Sequence, residues 1–515
     1  MPEPLTPRTS DRRVLVASIF VVGMCSIVYE LLISTTSSYF LGDSITQFSI
    51  TIGTYMAAMG LGSYLVRFLR GNAFELFVKV ELALGCIGAL SVPLLYGYYA
   101  GVGYEGFQPV MLLLVVLVGT LTGLEIPLLT RLLQPHFQGE EALSNVLTLD
   151  YIGALVATLL FPFVLLPFVG VFQLSIVFGL VNVLVAVYTA VHFRENLPRR
   201  SLLVWGVATA ALVLSALGLS AKLLSAWEDA LYRDPIVYTE TTPYQTLTVT
   251  RARDDVRLYL DRVIQWSSRD EYRYHESLVH PAMSSVAAPR RVLILGGGEG
   301  LALREVLRYP SVDSVTVVDI DPAVFALGQS QRQLVELNAR SLYDPRVTMS
   351  AEDAFVFLRN ANSTYDVIIA DLPDPTNDSV ARLYSVAFFR RCRRVLAEGG
   401  AIATQATGPF HTGKAFWCIG ATLREAGFTD VQPYHTYVPS FGDWGFWVQL
   451  GNRGDVGPAP TQTRYYSTQQ FAIDMLFPAD LRDATQVLPN KLDRPRLLEY
   501  YLEDWRSWSG EKQVW

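Results

Sequence analysis

Asp371-Leu372-Pro373-Asp374-Pro375 sets two carboxylates three residues apart, immediately after an apolar run. Acids so spaced can gather an ammonium group and take a proton from it. A bare turn is the plainer alternative, since Pro and Asp are both good turn formers. Gly296-Gly297-Gly298-Glu299-Gly300 follows a second apolar run and precedes a helical pattern. Consecutive glycines let backbone approach a ligand without Cβ clashes, although a glycine cluster alone also makes a tight turn. Asp319 closes the next apolar run 21 residues after Gly298. A carboxylate there can accept both hydroxyls of a ribose. Asp353 opens a later helix, where an acid can receive an adenine amino group, cap the helix, or do both. GxxxxGK[ST] is absent. An adenosyl group with few phosphates, such as an S-adenosyl compound, therefore fits better than a nucleoside triphosphate.

Further chemistry lies on either side. Tyr244-Gln245, Leu260-Asp261-Arg262 and Tyr274-His275-Glu276-Ser277-Leu278-Val279-His280 precede the glycine run. His275 and His280 are five apart, which is not the HExxH zinc spacing, so no metal is expected and a structural histidine pair is the alternative. Tyr437-Val438-Pro439-Ser440-Phe441-Gly442-Asp443-Trp444-Gly445-Phe446 closes the region and can wall a pocket. DNA amino-methyltransferases carry Asp/Asn-Pro-Pro-aromatic where this chain has Asp371 to Asp374. A second acid in place of a stacking ring suits a cationic amine.

The elements needed to position these groups are legible as periodicity. Short β-type runs at Gln245–Thr250, Val256–Leu260 and Val263–Trp266 come first. Strands are expected at Arg291–Leu295, Ser314–Asp319, Arg346–Ser350, Asp366–Asp371 and Ala401–Gln405. Helices are expected at Leu301–Tyr309, Pro322–Ala339, Glu352–Asn360, Arg382–Leu396 and Lys414–Ala426. The alternation predicts a parallel, doubly wound α/β sheet (Rossmann-like, methyltransferase-type), with ligands at the strands' carboxyl ends and a small β-sheet before it. A tail over 456–515 carries an amphipathic helix near Pro495–Trp508.

The first 222 residues are different. They hold 11 Lys and Arg and 12 Asp and Glu, so most of the chain's charge lies beyond them. Apolar stretches near 14–35, 45–69, 75–99, 108–133, 145–168, 172–192 and 201–221 predict about seven transmembrane helices. The organisation expected is a polytopic membrane domain over 1–222, a small β-segment and linker over 223–290, a Rossmann-like core over 291–455, and the tail. Arg8, Arg12 and Arg13, then Arg67, Arg70 and Lys79, then Arg131, then Arg194, Arg199 and Arg200 fall in alternate connections. This bias puts the N-terminus in the cytoplasm, and an even number of crossings would keep the second half there too. Glu30, Glu81, Glu125 and Asp150 sit inside apolar spans, as functional groups or as internally paired ones, for example with Arg131. A net charge of −7 gives no basic surface for nucleic acid. Four cysteines without ligand spacing read as reduced small hydrophobes.

In order, the motifs YQ, LD, YHE, GGGxG, REVL, DIDP, an acid at 353, DLPDP and YVPSFGDWGF resemble the spermidine synthase (polyamine aminopropyltransferase) family, most closely its bacterial membrane-bound branch. The resemblance is strong over roughly 235–450. It implies Asp371 as proton acceptor, with His275, Glu299, Asp371, Asp374 and Tyr437 on the polyamine side. It also implies Gln245, Gly296, Gly297, Gly298, Asp319, Asp353 and Ala354 around the nucleoside. Several positions depart from the usual pattern. Glu299 stands where Asp is usual, Asp319 where Glu is usual, and Ala354 and Arg262 where Gly is usual. Asn377-Asp378-Ser379 replaces Gly-Pro-Ala, and the spacing to Tyr437 differs.

The implied reaction moves the aminopropyl group of decarboxylated S-adenosylmethionine onto putrescine or another diamine, giving spermidine and 5'-methylthioadenosine. It needs no metal and no cofactor beyond that co-substrate. Clustered acids offset the repulsion between two cationic substrates. Glu299 would also repel the carboxylate of ordinary S-adenosylmethionine. Relatives of the soluble half commonly pair, so a homodimer in the cell (inner) membrane is expected, with the catalytic half facing the cytoplasm. Two other readings stay open: an S-adenosylmethionine-dependent methyltransferase, and a membrane transporter or sensor whose soluble half only binds polyamine.

Overall fold

The computed structural model describes residues 9–41, 44–103, 106–135, 137, 141–194, 201–232, 234–452, 460, 462–482 and 487–508. Arg8, Arg199 and Arg200 lie outside the described residues. The chain divides into two compact units, Met1–Arg233 and Asp234–Trp515.

The first unit is a bundle of apolar helices. Among the described residues six are long and apolar enough to cross a membrane, beginning at Asp11, Ala73, Phe107, Glu141, Val171 and Ser201. About seven were expected from the sequence. The Ser44–Leu65 helix is the difference: Ser, Thr, Gln and Tyr dilute it, and it packs along Phe107–Leu133. The hydroxyl of its Tyr55 donates to the Ser26 carbonyl at 2.9 Å and meets Thr122 Oγ1 at 3.1 Å. Glu30, Glu81 and Glu125 are buried in the bundle, and Asn182 Nδ2 donates to Glu81 at 3.0 Å. Arg131 pairs with none of them; its guanidinium donates to the Val66 carbonyl at 3.2 Å.

The second unit opens with an antiparallel sheet of β1 (Ile236–Thr241), β2 (Thr246–Ala252), β3 (Asp255–Leu260) and β4 (Val263–Ser267) in sequential order. β1 escaped the sequence reading because its alternation is weak and its residues are mostly exposed. Asp261 and Arg262 form the β3–β4 turn with φ of 46° and 71°. A two-residue hairpin demands this left-handed backbone, which glycine adopts most easily and Arg262 adopts here. Leu247, Val249, Leu258 and Trp266 pack against Leu301, Val324 and Leu327, seating the small sheet over the glycine loop's side of the core.

The core sheet comprises β5 (Arg291–Gly296), β6 (Ser314–Asp319), β7 (Val347–Ala351), β8 (Tyr365–Asp371), β9 (Leu396–Gln405), β10 (Gln432–Val438) and β11 (Gly442–Gln449). Its order is β10-β11-β9-β8-β5-β6-β7. Five strands are parallel, as expected, and strand order reverses between β5 and β8, the place where such sheets bind ligands. The β10–β11 pair is antiparallel, because the three residues joining them allow only a hairpin. The sheet is therefore mixed, not wholly parallel. The YHE segment is not β-structure either: Glu271–Ser284 is a buried helix packed on β8 and β9. The helix expected over 322–339 breaks at Gln331, whose extended backbone separates Pro322–Ser330 from Arg332–Leu337. The tail helix Arg496–Trp508 lies against the Gly413–Glu425 helix.

Candidate active site

β5 and β8 end side by side, with Gly296 paired to Asp371. The chain leaves β5 with φ of 82° at Gly296 and 63° at Gly297. A Cβ on Gly297 would stand 2.9 Å from Asp371 Oδ2, so the loop's shape and the acid's position are one feature. Between this edge and the small sheet lies a cleft of about 450 Å³.

One side of it is lined by Gln245, Gly296, Gly297, Asp319, Asp353 and Ala354. Gly298 does not line it; its N–H donates to Asp319 Oδ2 at 3.1 Å, while the Asp321 N–H donates to Oδ1 at 3.0 Å. Burial pushes the Asp319 pKa up to about 6 despite these two bonds. Asp353 caps the Ala354–Asn360 helix, accepting from the Phe355 and Val356 N–H groups, and also pairs with Arg382. Both readings of Asp353 are thus compatible with its place at the cleft. Gln245 Nε2 donates to Asp321 Oδ2 at 3.2 Å.

The other side is acidic. His275, Glu299 and Asp371 each bring one polar atom within 4.8 Å of the others. The Tyr274 hydroxyl donates to Asp371 Oδ1 at 2.7 Å. Burial raises the Asp371 pKa, and the Glu299 carboxylate raises it further, against His275 and Tyr274. His275 Nδ1 lies 2.8 Å from Glu271 Oε2, and its Nε2 lies 3.7 Å from Glu299. Burial alone would favour neutral imidazole, but the hydrogen bond to Glu271 and the carboxylates of Glu299 and Asp371 lift its pKa to about 10. The charged form of the ring attracts both Glu299 and Asp371 and so offsets the repulsion between the two carboxylates. Glu271 is in turn held by both Arg304 nitrogens, at 2.9 and 3.0 Å. Asp374 also lines the cleft, and burial pushes its pKa up to about 7.

Two residues of the YHE segment serve structure instead. Glu276 accepts from the Arg464, Tyr465 and Tyr466 N–H groups at 2.8 to 2.9 Å. His280 contacts Glu305 at 3.2 Å. Tyr437 is 60 % exposed and does not line the cleft, so the structure does not bring it to the other site residues. The reason is alternation: β10 turns Val438 inward and Tyr437 outward. Sequence reasoning assigned no role to Tyr274, Glu271 or Arg382. The first two were findable, since 271 and 275 are one helical turn apart and Tyr274 shares that turn; Arg382 carried no such signal.

The comparisons with known proteins agree with this geometry. Residues 271–454 match the spermine/spermidine synthase domain family. The chain is 43% identical to polyamine aminopropyltransferase 1 of Ralstonia nicotianae, over 97% of each chain. It is 44% identical to polyamine aminopropyltransferase 2 of the same organism, over 96% of this chain and 98% of that one. It is 40% identical to the polyamine aminopropyltransferase of Leptospira interrogans, over 95% and 98%. The chain belongs to the spermidine synthase, or polyamine aminopropyltransferase, family.

Proposed function

We propose that the protein transfers the aminopropyl group of decarboxylated S-adenosylmethionine to putrescine, giving spermidine, 5'-methylthioadenosine and a proton. The observation that carries this is the convergence of Glu299, Asp371 and Asp374 on one cleft beside the glycine loop and Asp319. Asp319 and the Gly296–Gly297 backbone hold the adenosyl ribose, and Glu299 holds the aminopropyl ammonium. Asp374 takes the far ammonium of the diamine. Asp371 takes the proton that the near amine must lose, which a free amine with a pKa near ~10.4 does not shed unaided at neutral pH. The freed lone pair attacks the methylene next to sulfur, the C–S bond breaks, and its electron pair neutralises the sulfonium. A cationic sulfur is already a good leaving group, so alignment is the main demand on the protein. His275, held charged by Glu271, keeps the acids close together without both being forced to protonate.

Acid at all three positions disfavours a methyl donor bearing a carboxylate and suits two cationic substrates. The family membership supports turnover over mere polyamine binding. Incubating the detergent-purified protein with decarboxylated S-adenosylmethionine and a series of diamines, and assaying methylthioadenosine, tests the proposal. Release with putrescine is expected. Methyl transfer from ordinary S-adenosylmethionine, or binding without release, would overturn it.

The six apolar helices support insertion in the cell membrane through the first unit. With the N-terminus on the cytoplasmic side, six crossings return the chain there, where the donor is made, and a homodimer is the assembly proposed. A reporter fused after Trp515 that is active only outside the cytoplasm would exclude this sidedness, and light scattering tests the dimer.

A further inference from the structure

Asp374 is held from an unexpected direction. The hydroxyl of Tyr501, on the tail helix Arg496–Trp508, donates to its Oδ2 at 3.1 Å, while its buried Oδ1 has no hydrogen-bond partner. Tyr501 lies outside the 271–454 span that matches the spermine/spermidine synthase domain. The tail is clamped rather than merely adjacent. Asp504 Oδ2 accepts from the Lys414 N–H at 2.9 Å, at the start of the Gly413–Glu425 helix, and Trp505 stacks on His411 with rings 9° apart. Asn490 Nδ2 donates to the Ala381 carbonyl at 2.8 Å. The loop bearing Asp374 is fixed from the other side, where the Tyr384 hydroxyl donates to the Leu372 and Pro373 carbonyls at 3.1 and 3.0 Å.

We propose that Tyr501 is a positioning residue for the acceptor: its hydroxyl occupies one oxygen of Asp374 and turns the other to the far ammonium of a diamine. The proposal rests on the aminopropyl-transfer reading above. One oxygen is saturated by a neutral donor, which leaves a single acceptor for a single ammonium and sets the diamine length that reaches it from Asp371. The bond also favours the charged form of Asp374, opposing the burial that raises its pKa to about 7. The titratable groups around it are Asp371 on β8, Tyr274 on the Glu271–Ser284 helix, Tyr384 and Tyr501. Gln405 on β9 donates to the Leu372 carbonyl at 2.6 Å and to the Tyr384 hydroxyl.

Tyr501→Phe in the full-length protein tests this. At neutral pH its KM for putrescine should rise about tenfold, the size expected for losing one hydrogen bond to a charged group. kcat and the KM for the nucleoside donor should stay within about twofold of wild type. The acid limb of kcat/KM for putrescine should move to higher pH by about half a unit or more, because Asp374 then ionises later. Preference should also spread from putrescine toward longer diamines. Glu503→Gln, on the same helix but away from the cleft, should leave the limb and the diamine preference in place. An unmoved limb in Tyr501→Phe, or an equal shift in Glu503→Gln, would overturn the proposal. Methylthioadenosine binding by calorimetry verifies that each variant is folded. Failure of the aminopropyl-transfer reading shows separately, as a wild type that releases no methylthioadenosine with any diamine.

Discussion

Tyr274 and Asp371 share a hydrogen bond of 2.7 Å in which the phenol donates to the carboxylate. Tyr274 is buried among Phe441, Trp444 and Phe446, so its hydroxyl has a fixed aim. The bond opposes the burial and the Glu299 charge that hold the Asp371 pKa up. Tyr274→Phe should therefore raise that pKa further. A proton acceptor must be ionised to act, so the acid limb of kcat should move to higher pH. At neutral pH kcat should fall about tenfold, equivalent to ~1.4 kcal/mol of barrier. A pH series of methylthioadenosine release checks both.

Asp371→Asn removes the proposed proton acceptor but keeps the shape of the cleft. kcat should drop by about 10²–10⁴, the usual range for a lost general base. Nucleoside affinity should change little, because Asp319 and the glycine backbone are untouched. Calorimetric titration with methylthioadenosine separates the two effects, and a parallel loss of binding would contradict the assignment.

Asp319 carries the nucleoside prediction. With its pKa near 6, it loses its charge as pH falls through that value, and with it the proposed bonds from the ribose hydroxyls weaken. The KM for the nucleoside donor should rise below about pH 6 in wild type. Asp319→Asn should be weakened at every pH and lack this step. Initial rates at varied donor concentration give the comparison.

The Arg304–Glu271–His275 chain makes a stability prediction with a definite sign. The His275 pKa is raised on folding to about 10. Its contribution is therefore fully present below its unfolded value near ~6.5 and is lost as pH rises toward 10. Thermal melts of the second unit's transition should fall between pH 7 and 10. Glu271→Gln should destabilise by about 3 kcal/mol, since it leaves the buried His275 without its closest carboxylate while Arg304 keeps Glu305 at 2.8 Å. His275→Phe should flatten the alkaline slope, and a slope that persists there would assign it to other groups.

Much of the cleft was legible because its chemistry sits at strand ends. Asp319 and Asp371 terminate apolar runs, and parallel strands bring such ends to one edge whatever the remaining packing. Glycine spacing likewise exposed the β5 loop. Contacts made across the fold were not legible. Nothing near Asp374 in sequence announces Tyr501, 127 positions later. Tyr437 was misplaced because a motif fixes a residue's neighbourhood but not which face of a strand it takes. The expected seventh span, Ser44–Leu65, is helical and packs along Phe107–Leu133, with Ser, Thr, Gln and Tyr diluting its apolar run. Length and helicity are visible in sequence; the solvent a helix prefers depends on the side chains it shows.

The bond between Tyr501 and Asp374 also orders events during synthesis. Chains are made from the amino end and their domains tend to fold in that direction. Every residue named here as lining the cleft leaves the ribosome before Tyr501 does. On the proposal above the amine site is therefore the part completed last, since a chain cut short before Tyr501 would present Asp374 without the hydroxyl that orients it.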